Sequence, residues 1–270
     1  MKISVIIPTY KPKEYLWDCL DSLYNQTFKK TEFEVLLVLN GCSEPYKSEI
    51  LNYIKQHGGL NIHLIHTQQG GVSNARNLAL DRMTGDFYTC LDDDDFLSPT
   101  CLEDMYMLAN EETVVECYPY GFNDGHPEIQ QKYGLTNVFN YCVANNCHSL
   151  NSTARKFFSG PCMKLIPTSY VGNRRFNTKF RNGEDCIFMF LISDKIKNIV
   201  YTSKGAIYYR RFRENSAVSR KRTKSERIKN SVLCMAEYAK IFLDGRYSTY
   251  FFLTRILAEM KCVLQILLNK

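Results

Sequence analysis

Largely apolar runs alternate with helical stretches along the first hundred residues. Between the runs, apolar residues recur every three or four positions, as in Tyr15–Leu23 and Val72–Met83, which is the spacing of one helix face. The runs themselves are five to seven residues long: Ile3–Ile7, Phe33–Leu39, Leu60–Ile65 and Phe87–Leu91. Short apolar strands joined by helical crossovers predict an α/β fold, with a mostly parallel, Rossmann-like central sheet and helices on both faces.

The rest of the chain is patterned less regularly. The segment Gly121–Gly160 is polar, aromatic and without a sustained period, so we expect loops and short elements that form one wall of a binding site. A helix is predicted over Glu184–Ser193, and strands over Ile199–Thr202 and Ala206–Tyr209. Residues 226–270 predict a tail of two helices around Gly245. The second helix carries an apolar stripe: Leu253, Ile256, Leu257, Met260, Leu264 and Leu267.

The composition indicates the cellular compartment of the protein. Apolar residues make up 45% and charged residues 23% of the chain, as in ordinary globular proteins. Its eleven cysteines are odd in number and include no CxxC pair, so we expect buried thiols in a reducing compartment rather than disulfides or structural zinc. The first apolar run stops at Pro8, too early for a secretory signal. Charged residues interrupt the apolar stretch Tyr250–Leu268, which argues against a membrane span. We predict a cytoplasmic protein.

Positive charge is concentrated in one segment. The chain carries a net +6, whereas residues 204–229 alone hold ten basic and two acidic residues, a net +8. A basic segment beside an apolar helical stripe fits the inner face of an anionic membrane, as a peripheral contact. The alternatives are that the stripe packs onto the domain or forms a homodimer through the C-terminal helices. No nucleic-acid-binding motif accompanies the charge, so we expect no nucleic-acid partner.

Ligands of parallel α/β sheets bind where the strands end, and four consecutive carboxylates follow the fourth predicted strand directly. Ionised carboxylates this close repel one another unless a cation is present. Asp92 and Asp94 share a face if the strand continues, so both can reach one Mg²⁺ or Mn²⁺ ion that also binds substrate phosphates. The alternative is a solvated acidic turn that caps the helix after Pro99.

Two further polar clusters open predicted helices. Gly70 and Gly71 precede a first turn with Ser73 and Arg76, which suits phosphate, although a plain glycine turn capped by Ser73 explains it equally. Neither GxGxxG nor GxxxxGK is present, which disfavours a dinucleotide-dependent dehydrogenase and a P-loop NTPase. Farther along, Glu184 and Asp185 follow a glycine. They either complement the helix dipole or supply a general base.

Five segments, in this order, resemble the large family 2 of inverting glycosyltransferases. The resemblance covers roughly residues 2–219 and implies the GT-A fold. The segments are VIIPTY at Val5–Tyr10, GGVSNARN at Gly70–Asn77, LDDDDFLSP at Leu91–Pro99, NGED at Asn182–Asp185 and YYRRFRENSAVSR at Tyr208–Arg220. Each is modest alone, and their common order and spacing make the resemblance specific.

The resemblance implies a role for each matching position. Asp92 and Asp94 would bind the metal, with Asp94 the more direct ligand, and Asp185 would be the catalytic base with Glu184 beside it. Ser216 would lie in a loop that closes near the diphosphate. Seven positions would bind the nucleotide-sugar: Thr9, Tyr10, Asn40, Arg76, Asp93, Arg211 and Arg213.

One departure from the family pattern concerns the nucleobase. The family usually carries paired aspartates after its second strand, where this chain has Leu39 and Asn40. The amide of Asn40 both donates and accepts, so it can still pair with a base edge. A UDP-sugar is the expected donor, and this departure leaves the uridine preference open.

The expected reaction is transfer of a sugar from a nucleotide-diphosphate sugar to an acceptor hydroxyl, in surface polysaccharide or glycolipid synthesis. The acceptor would be a saccharide or a lipid-linked molecule. Residues 1–98 would form the donor half and residues 99–220 the acceptor half of one domain, with residues 221–270 as a helical tail. A metal-dependent nucleotidyltransferase, or a catalytically silent relative that binds sugar or nucleotide, remains the alternative.

Overall fold

Two β-sheets organise the computed structural model, which describes residues 1–213, 223–243 and 245–268. Within these residues the larger sheet has seven strands and the smaller has four. In chain order the strands are β1 (Ile3–Thr9), β2 (Phe33–Asn40), β3 (Ile62–Thr67), β4 (Phe87–Cys90), β5 (Phe96–Leu97), β6 (Thr113–Glu116), β7 (Tyr118–Asn123), β8 (His126–Gln131), β9 (Lys164–Pro167), β10 (Asn198–Tyr201) and β11 (Ile207–Phe212).

The large sheet is mostly parallel, as predicted. Its strand order is β10-β6-β9-β4-β1-β2-β3, and β9 alone among these described strands runs antiparallel to its neighbours. Every residue of β1 and β2 is buried, because helices cover both faces. In β1, Val5 and Ile7 join the apolar cluster on one face and Ile6 joins the cluster on the other. The predicted strands near the amino terminus are confirmed with shifts of one or two residues.

Helices follow the strands in the predicted alternation. On one face of the sheet, Leu16 and Leu20 of the first helix pack with Val5. On the opposite face, Ala75 and Ala79 of the third helix pack with Ile6. The described helices are α1 (Tyr15–Tyr24), α2 (Tyr46–His57), α3 (Val72–Leu80), α4 (Cys101–Leu108), α5 (Gly134–Ala144), α6 (Glu184–Leu191), α7 (Lys224–Phe242) and α8 (Thr249–Leu268).

The small sheet brings a basic strand beside the acidic run. Its order is β5-β11-β7-β8, with β11 antiparallel to β5 and parallel to β7. Since β5 begins at Phe96, directly after Asp95, its partner strand β11 places Arg210 next to the carboxylates.

The expectation of loops and short elements over Gly121–Gly160 holds except for one eleven-residue helix. The segment contains the β7–β8 hairpin, the helix α5 and a 3-10 helix at Thr153–Ser159. Val138, Phe139 and Cys142 of α5 are buried at helical spacing, but the helix also contains Thr136, Asn137 and Asn140, which are weak helix formers. Packing against the core therefore sets this helix more than local propensity does.

The two predicted C-terminal helices are confirmed, with Gly245 between them at φ +73°. Helix α8 packs through Phe251 and Ile266, which are buried. Most of the predicted stripe faces outward instead, since Leu253, Leu257, Met260, Leu264 and Leu267 are 47–60% exposed. Packing of these five side chains onto the domain was the wrong expectation. None of the described helices has the length and apolar character needed to cross a membrane. The predicted domain boundary near residue 220 falls outside the described residues and stays a prediction.

A buried charged pair joins the neighbouring strands β6 and β9 of the large sheet. Lys164 Nζ is 3.8 Å from Glu116, and both side chains are at most 1% exposed. Neither carboxyl oxygen of Glu116 has a hydrogen-bond partner among the described residues. Burial outweighs the opposing charge of Lys164 and raises the pKa of Glu116 from 4.5 to about 7.

Replacement of Glu116 by glutamine is expected to change how stability depends on pH. Because its pKa is raised on folding, Glu116 binds more protons folded than unfolded, so the wild type loses stability as the pH rises from about 4.5 to about 7. Glu116→Gln lacks this loss, so its free energy of unfolding relative to wild type should increase by about 1–3 kcal/mol between pH 5 and pH 8. Urea denaturation at both pH values measures it, with Glu112→Gln at the surface as the control. Equal pH dependence in Glu116→Gln and wild type would contradict the prediction.

Candidate functional site

A cavity of about 590 Å³ opens where β1, β2 and β4 end. All sequence-predicted site residues except Arg211 line it: Thr9, Tyr10, Asn40, Arg76, Asp92, Asp93, Asp94, Glu184, Asp185 and Arg213. These residues come from strand ends and from the starts of α3 and α6, so residues as far apart as Thr9 and Arg213, which are 204 positions apart in the sequence, meet in one place. Ser216 lies outside the described residues.

Arg76 joins the two acidic motifs. Its guanidinium is buried and donates from Nη1 to Asp185 Oδ1 at 2.6 Å and from Nη2 to Asp92 Oδ1 at 3.1 Å. Helix α3 carries Arg76, and the left-handed glycine Gly183 (φ +83°) starts the helix that carries Asp185. One cation thus fixes the distance between the acidic run and the acidic helix start.

The four consecutive aspartates have different sets of partners, and among the described residues only Arg210 is shared, between Asp92 and Asp95. Asp93 accepts from the Thr9 hydroxyl at 2.5 Å, and Asp94 accepts from Arg213 Nε at 2.7 Å. Asp95 is fully buried and accepts from the Tyr208 hydroxyl and from Arg210, each at 2.8 Å. Its other oxygen accepts from the backbone N–H of Arg211 at 2.8 Å.

Burial and the neighbouring arginines give these carboxyl groups different pKa values. Burial raises the pKa of Asp93 and of Asp95 to about 7 each, with the neighbouring aspartates adding to the effect. Burial acts on Asp92 in the same direction, but the charges of Arg76 and Arg210 outweigh it and lower its pKa. Burial raises the pKa of Asp185, opposed by Arg76. Asp92 is therefore held ionised, and Asp185 is poised to take a proton more readily than an exposed aspartate.

A divalent cation fits the cavity side of the acidic run. Carboxylate oxygens of Asp92, Asp94 and Asp95 lie within 4.8 Å of one another. Both oxygens of Asp95, like both oxygens of Asp92, accept hydrogen bonds inside the protein, but Asp92 lines the cavity and Asp95 does not. Asp94 has one oxygen, Oδ1, that accepts no hydrogen bond from the described residues. The fit thus favours Asp92 and Asp94 as ligands, with Asp95 orienting its neighbours.

The end of the cavity beside Thr9, Tyr10 and Asn40 is built by close backbone contacts. Asn40 donates to the Thr9 carbonyl at 2.7 Å and accepts from the Gly71 N–H at 2.9 Å, so its amide ties two loops together. Gly41 (φ +68°) lies so near Gly70 that a Cβ atom on Gly41 would be 3.0 Å from the Gly70 Cα. Tyr10 is 53% exposed and offers a ring face at this end.

Neighbouring arginines of β11 point in opposite directions. Arg210 faces the cavity and bonds Asp92 and Asp95, although the sequence analysis assigned it no site role. The guanidinium of Arg211 bonds instead to Asp18 and Asp124, each at 2.7 Å, and to the Asp94 carbonyl at 2.8 Å, so Arg211 does not line this cavity with the other predicted site residues. Side chains two apart on a strand share a face, so a strand that included Arg210 would have placed it on the same face as Tyr208. The predicted strand ended at Tyr209, one residue before Arg210, and this signal was therefore missed.

Arg211 and Arg213 are expected to differ when substituted. Arg213 contacts Asp94 and the Tyr15 ring inside the cavity, so Arg213→Gln should weaken binding of a diphosphate ligand about tenfold. Arg211→Gln should leave that affinity unchanged and lower the free energy of unfolding by about 1 kcal/mol, because its acidic partners are half-exposed. Calorimetric titration with nucleoside diphosphates and urea denaturation check both. Weaker binding in Arg211→Gln alone would contradict this division.

A second cavity of about 400 Å³ adjoins the first. Asp92, Asp185, Arg210 and Arg213 line both cavities, so the acidic pair stands at their junction. Away from the junction the second cavity is mainly apolar and aromatic apart from Arg211, and its other lining residues are Tyr133, Leu135, Phe157, Gly160, Pro161, Cys162, Met163 and Phe212. Two ligands can therefore meet at Asp185, one from each side.

Comparisons with known proteins agree with this architecture. A family model described as glycosyl transferase family 2 matches residues 4–175. TarS of Staphylococcus aureus, a poly(ribitol-phosphate) beta-N-acetylglucosaminyltransferase, is 36% identical over 111 residues, covering 41% of this chain and 19% of TarS. The GalNAc(5)-diNAcBac-PP-undecaprenol beta-1,3-glucosyltransferase of Campylobacter jejuni is 28% identical over 220 residues, covering 80% of this chain and 66% of that enzyme. The matches thus span less than two thirds of either relative.

Solved structures show the same fold. TarS residues 1–349 in complex with UDP-GlcNAc align with a TM-score of 0.73 at 22% identity, covering 99% of this chain and 72% of that one. The mannosyltransferase PcManGT of Pyrobaculum calidifontis, in complex with GDP-Man and Mn²⁺, aligns with a TM-score of 0.66 at 18% identity, covering 98% and 73%. The predicted GT-A fold is confirmed.

Proposed function

Because this chain belongs to glycosyl transferase family 2, we propose that it is an inverting glycosyltransferase that moves a sugar from a nucleotide-diphosphate donor to an acceptor hydroxyl. The observation that carries this proposal is the placement of Asp92 and Asp185 on one buried arginine, at the junction of two cavities. One cavity is suited to the donor and the other to the acceptor. A reaction between two bound molecules needs this arrangement.

The donor binds in the larger cavity in this proposal. The exposed ring of Tyr10 stacks on the base, and Asp93, held by Thr9, faces the ribose or the donor sugar. Arg210 and Arg213 lie beside the diphosphate. The UDP-GlcNAc and GDP-Man bound to the related structures support a nucleotide-sugar, and we infer a UDP-sugar. The side chain of Asn40 is already bonded to two backbone groups. We therefore infer that the loop held by Asn40, rather than Asn40 itself, selects the nucleobase.

Asp92 and Asp94 would hold a Mg²⁺ or Mn²⁺ ion between the protein and the diphosphate. When bound, such an ion neutralises charge on the leaving nucleoside diphosphate. Arg213 bonds Oδ2 of Asp94, which orients that carboxylate and leaves Oδ1 without a hydrogen bond from the described residues.

Asp185 acts as the general base. Arg76 holds Oδ1, so the other oxygen remains to accept a proton from the acceptor hydroxyl in the second cavity. The hydroxyl oxygen then forms a bond to the anomeric carbon as the bond from that carbon to the diphosphate breaks. Attack opposite the leaving group inverts the configuration. Glu184, at the first turn of the same helix, lies beside the donor cavity and would bind a sugar hydroxyl.

We infer surface polysaccharide or glycolipid synthesis as the setting, with a saccharide or lipid-linked acceptor. The relatives include enzymes named for poly(ribitol-phosphate) and for an undecaprenol-linked glycan. The exposed stripe of α8 suits either a peripheral contact with the inner face of the membrane or a homodimer. Flotation with anionic vesicles and light scattering distinguish the two, with Leu257→Gln/Leu264→Gln as the matched variant.

Donor binding tests the proposed function. We expect one class among UDP-, GDP- and dTDP-sugars to raise the melting temperature with Mn²⁺ and to do so less with a chelator. Asp94→Asn should lose most of this metal dependence, whereas Asp124→Asn, outside the donor cavity, should keep it. Release of a nucleoside diphosphate on turnover supports the transferase, and release of pyrophosphate from a nucleoside triphosphate would indicate a nucleotidyltransferase. Absence of any shift or turnover with these donors would contradict the proposal.

A further inference from the structure

One wall of the second cavity is a short segment with few hydrogen bonds of its own. We call Phe157–Cys162 the acceptor wall, since Phe157, Gly160, Pro161 and Cys162 all line that cavity. The wall spans the end of a 3-10 helix, where Phe158 departs from helical geometry. Carbonyl groups at such a helix end lack partners within the helix. Its shape therefore depends on donors from elsewhere in the protein.

Lys164 supplies three of these donors from inside the sheet. Its Nζ donates to the carbonyls of Phe157 at 3.2 Å, Gly160 at 2.9 Å and Cys162 at 2.7 Å. An ammonium group has three hydrogens, so all three are used on one segment. Lysine is almost never fully buried unless its charge is paired, and here Glu116 lies only within 3.8 Å without a hydrogen bond. The geometry thus points to the wall, rather than to the ion pair, as the ammonium group's main contact.

The C-terminal helix holds the same segment from the opposite side. Arg255 of α8 donates to the carbonyl of Phe158 and, at 3.2 Å, to the hydroxyl of Ser159. Cys186, next to Asp185 on α6, donates to the carbonyl of Ser159 at 3.1 Å. The wall is thereby connected to the helix that carries Asp185 and to the tail.

We propose that Lys164 is a positioning residue that fixes the acceptor wall at the distance from Asp185 that acceptor binding requires, with Arg255 as its counterpart on α8. This inference rests on the proposed function, because it takes the second cavity as the acceptor site. Lys164 lines neither cavity itself and acts through the three carbonyl groups that it holds.

Lys164→Met tests the proposal, since methionine keeps the length of the side chain and removes its donors. With UDP-GlcNAc as donor and 4-nitrophenyl β-N-acetylglucosaminide as acceptor probe, the acceptor KM should rise about tenfold while the donor KM changes less than about twofold. Backbone hydrogen exchange of residues 157–162 should become faster, and exchange in β1 and α3 should not change. Glu116→Gln and the surface variant Lys197→Met are controls that should leave both the acceptor KM and the exchange of the wall unchanged.

Arg255→Gln provides a second variant if Lys164→Met does not fold, because it removes the other donors to the wall from a partly exposed helix. It should raise the acceptor KM and the exchange rate in the same direction. Equal losses for donor and acceptor, or unchanged exchange at residues 157–162 in a folded variant, would overturn the proposal. Wild-type protein that turns over none of the UDP-, GDP- and dTDP-sugars would reject the proposed function. Faster exchange of the wall in Lys164→Met would in that case still support the role of Lys164 in fixing residues 157–162.

Discussion

Asp185→Asn is expected to abolish sugar transfer almost completely while the donor remains bound. The amide keeps an oxygen for Arg76 but cannot take a proton from an acceptor hydroxyl at neutral pH. Removal of a general base typically lowers the rate by about 10²–10⁴-fold. Steady-state kinetics with a saturating donor measure the loss, and calorimetric titration measures donor affinity.

Asp81→Asn is the matched control for this substitution. Asp81 is an exposed aspartate that also pairs with an arginine, Arg175, and it lies outside both cavities. It should retain full activity. An Asp185→Asn variant that binds the donor poorly but turns over at a normal rate would contradict the assignment of Asp185 as base.

Arg76→Met is expected to destabilise the protein as well as inactivate it. Arg76 is 4% exposed in its side chain and pairs with Asp92 and Asp185, each about 70% buried. Removal of one partner of a buried charge network typically costs about 3–5 kcal/mol, because the remaining charges lose their compensation. Urea denaturation at pH 8 should show this loss.

The pH dependence of the destabilisation distinguishes the loss of charge compensation from a simple packing defect. In Arg76→Met the two uncompensated carboxylates are expected to gain protons more readily, so the destabilisation should be smaller at pH 5 than at pH 8. Arg82→Met, near the end of the same helix, removes an exposed arginine that bonds a backbone carbonyl and should cost less than about 1 kcal/mol. Equal destabilisation at both pH values would argue that Arg76 acts through packing alone.

Hydrophobic periodicity predicted the parts of the fold that are buried on both sides. The strands β1 and β2 are continuous apolar runs because every side chain in them is covered. The same reasoning failed at α5, where Thr136 and two asparagines interrupt the pattern and tertiary contacts determine the helix. It also misjudged α8, where the conspicuous stripe faces outward and Phe251 makes the buried contact.

Site prediction succeeded where chemistry is local in sequence. The acidic run and the Asn182–Asp185 segment are both visible as clusters in the sequence, and residues of both line the cavity. The bond from Arg76 to Asp185 joins two helices across 109 residues, and the bond from Arg210 to Asp95 spans 115 residues. The burial of Lys164 follows from the pairing of its strand, β9, with β4 and β6. No local pattern contains that information. For this reason the roles of Arg210 and Lys164 emerged only from the structure.

The configuration of the transferred sugar tests the central claim most directly. Wild-type protein would be incubated with Mn²⁺, an α-linked UDP-sugar and an acceptor, and the first product would be followed by proton NMR from its appearance. The account predicts release of nucleoside diphosphate and a β-linked product that depends on Asp185. An α-linked product, or a β-linked product formed equally well by Asp185→Asn, would contradict it.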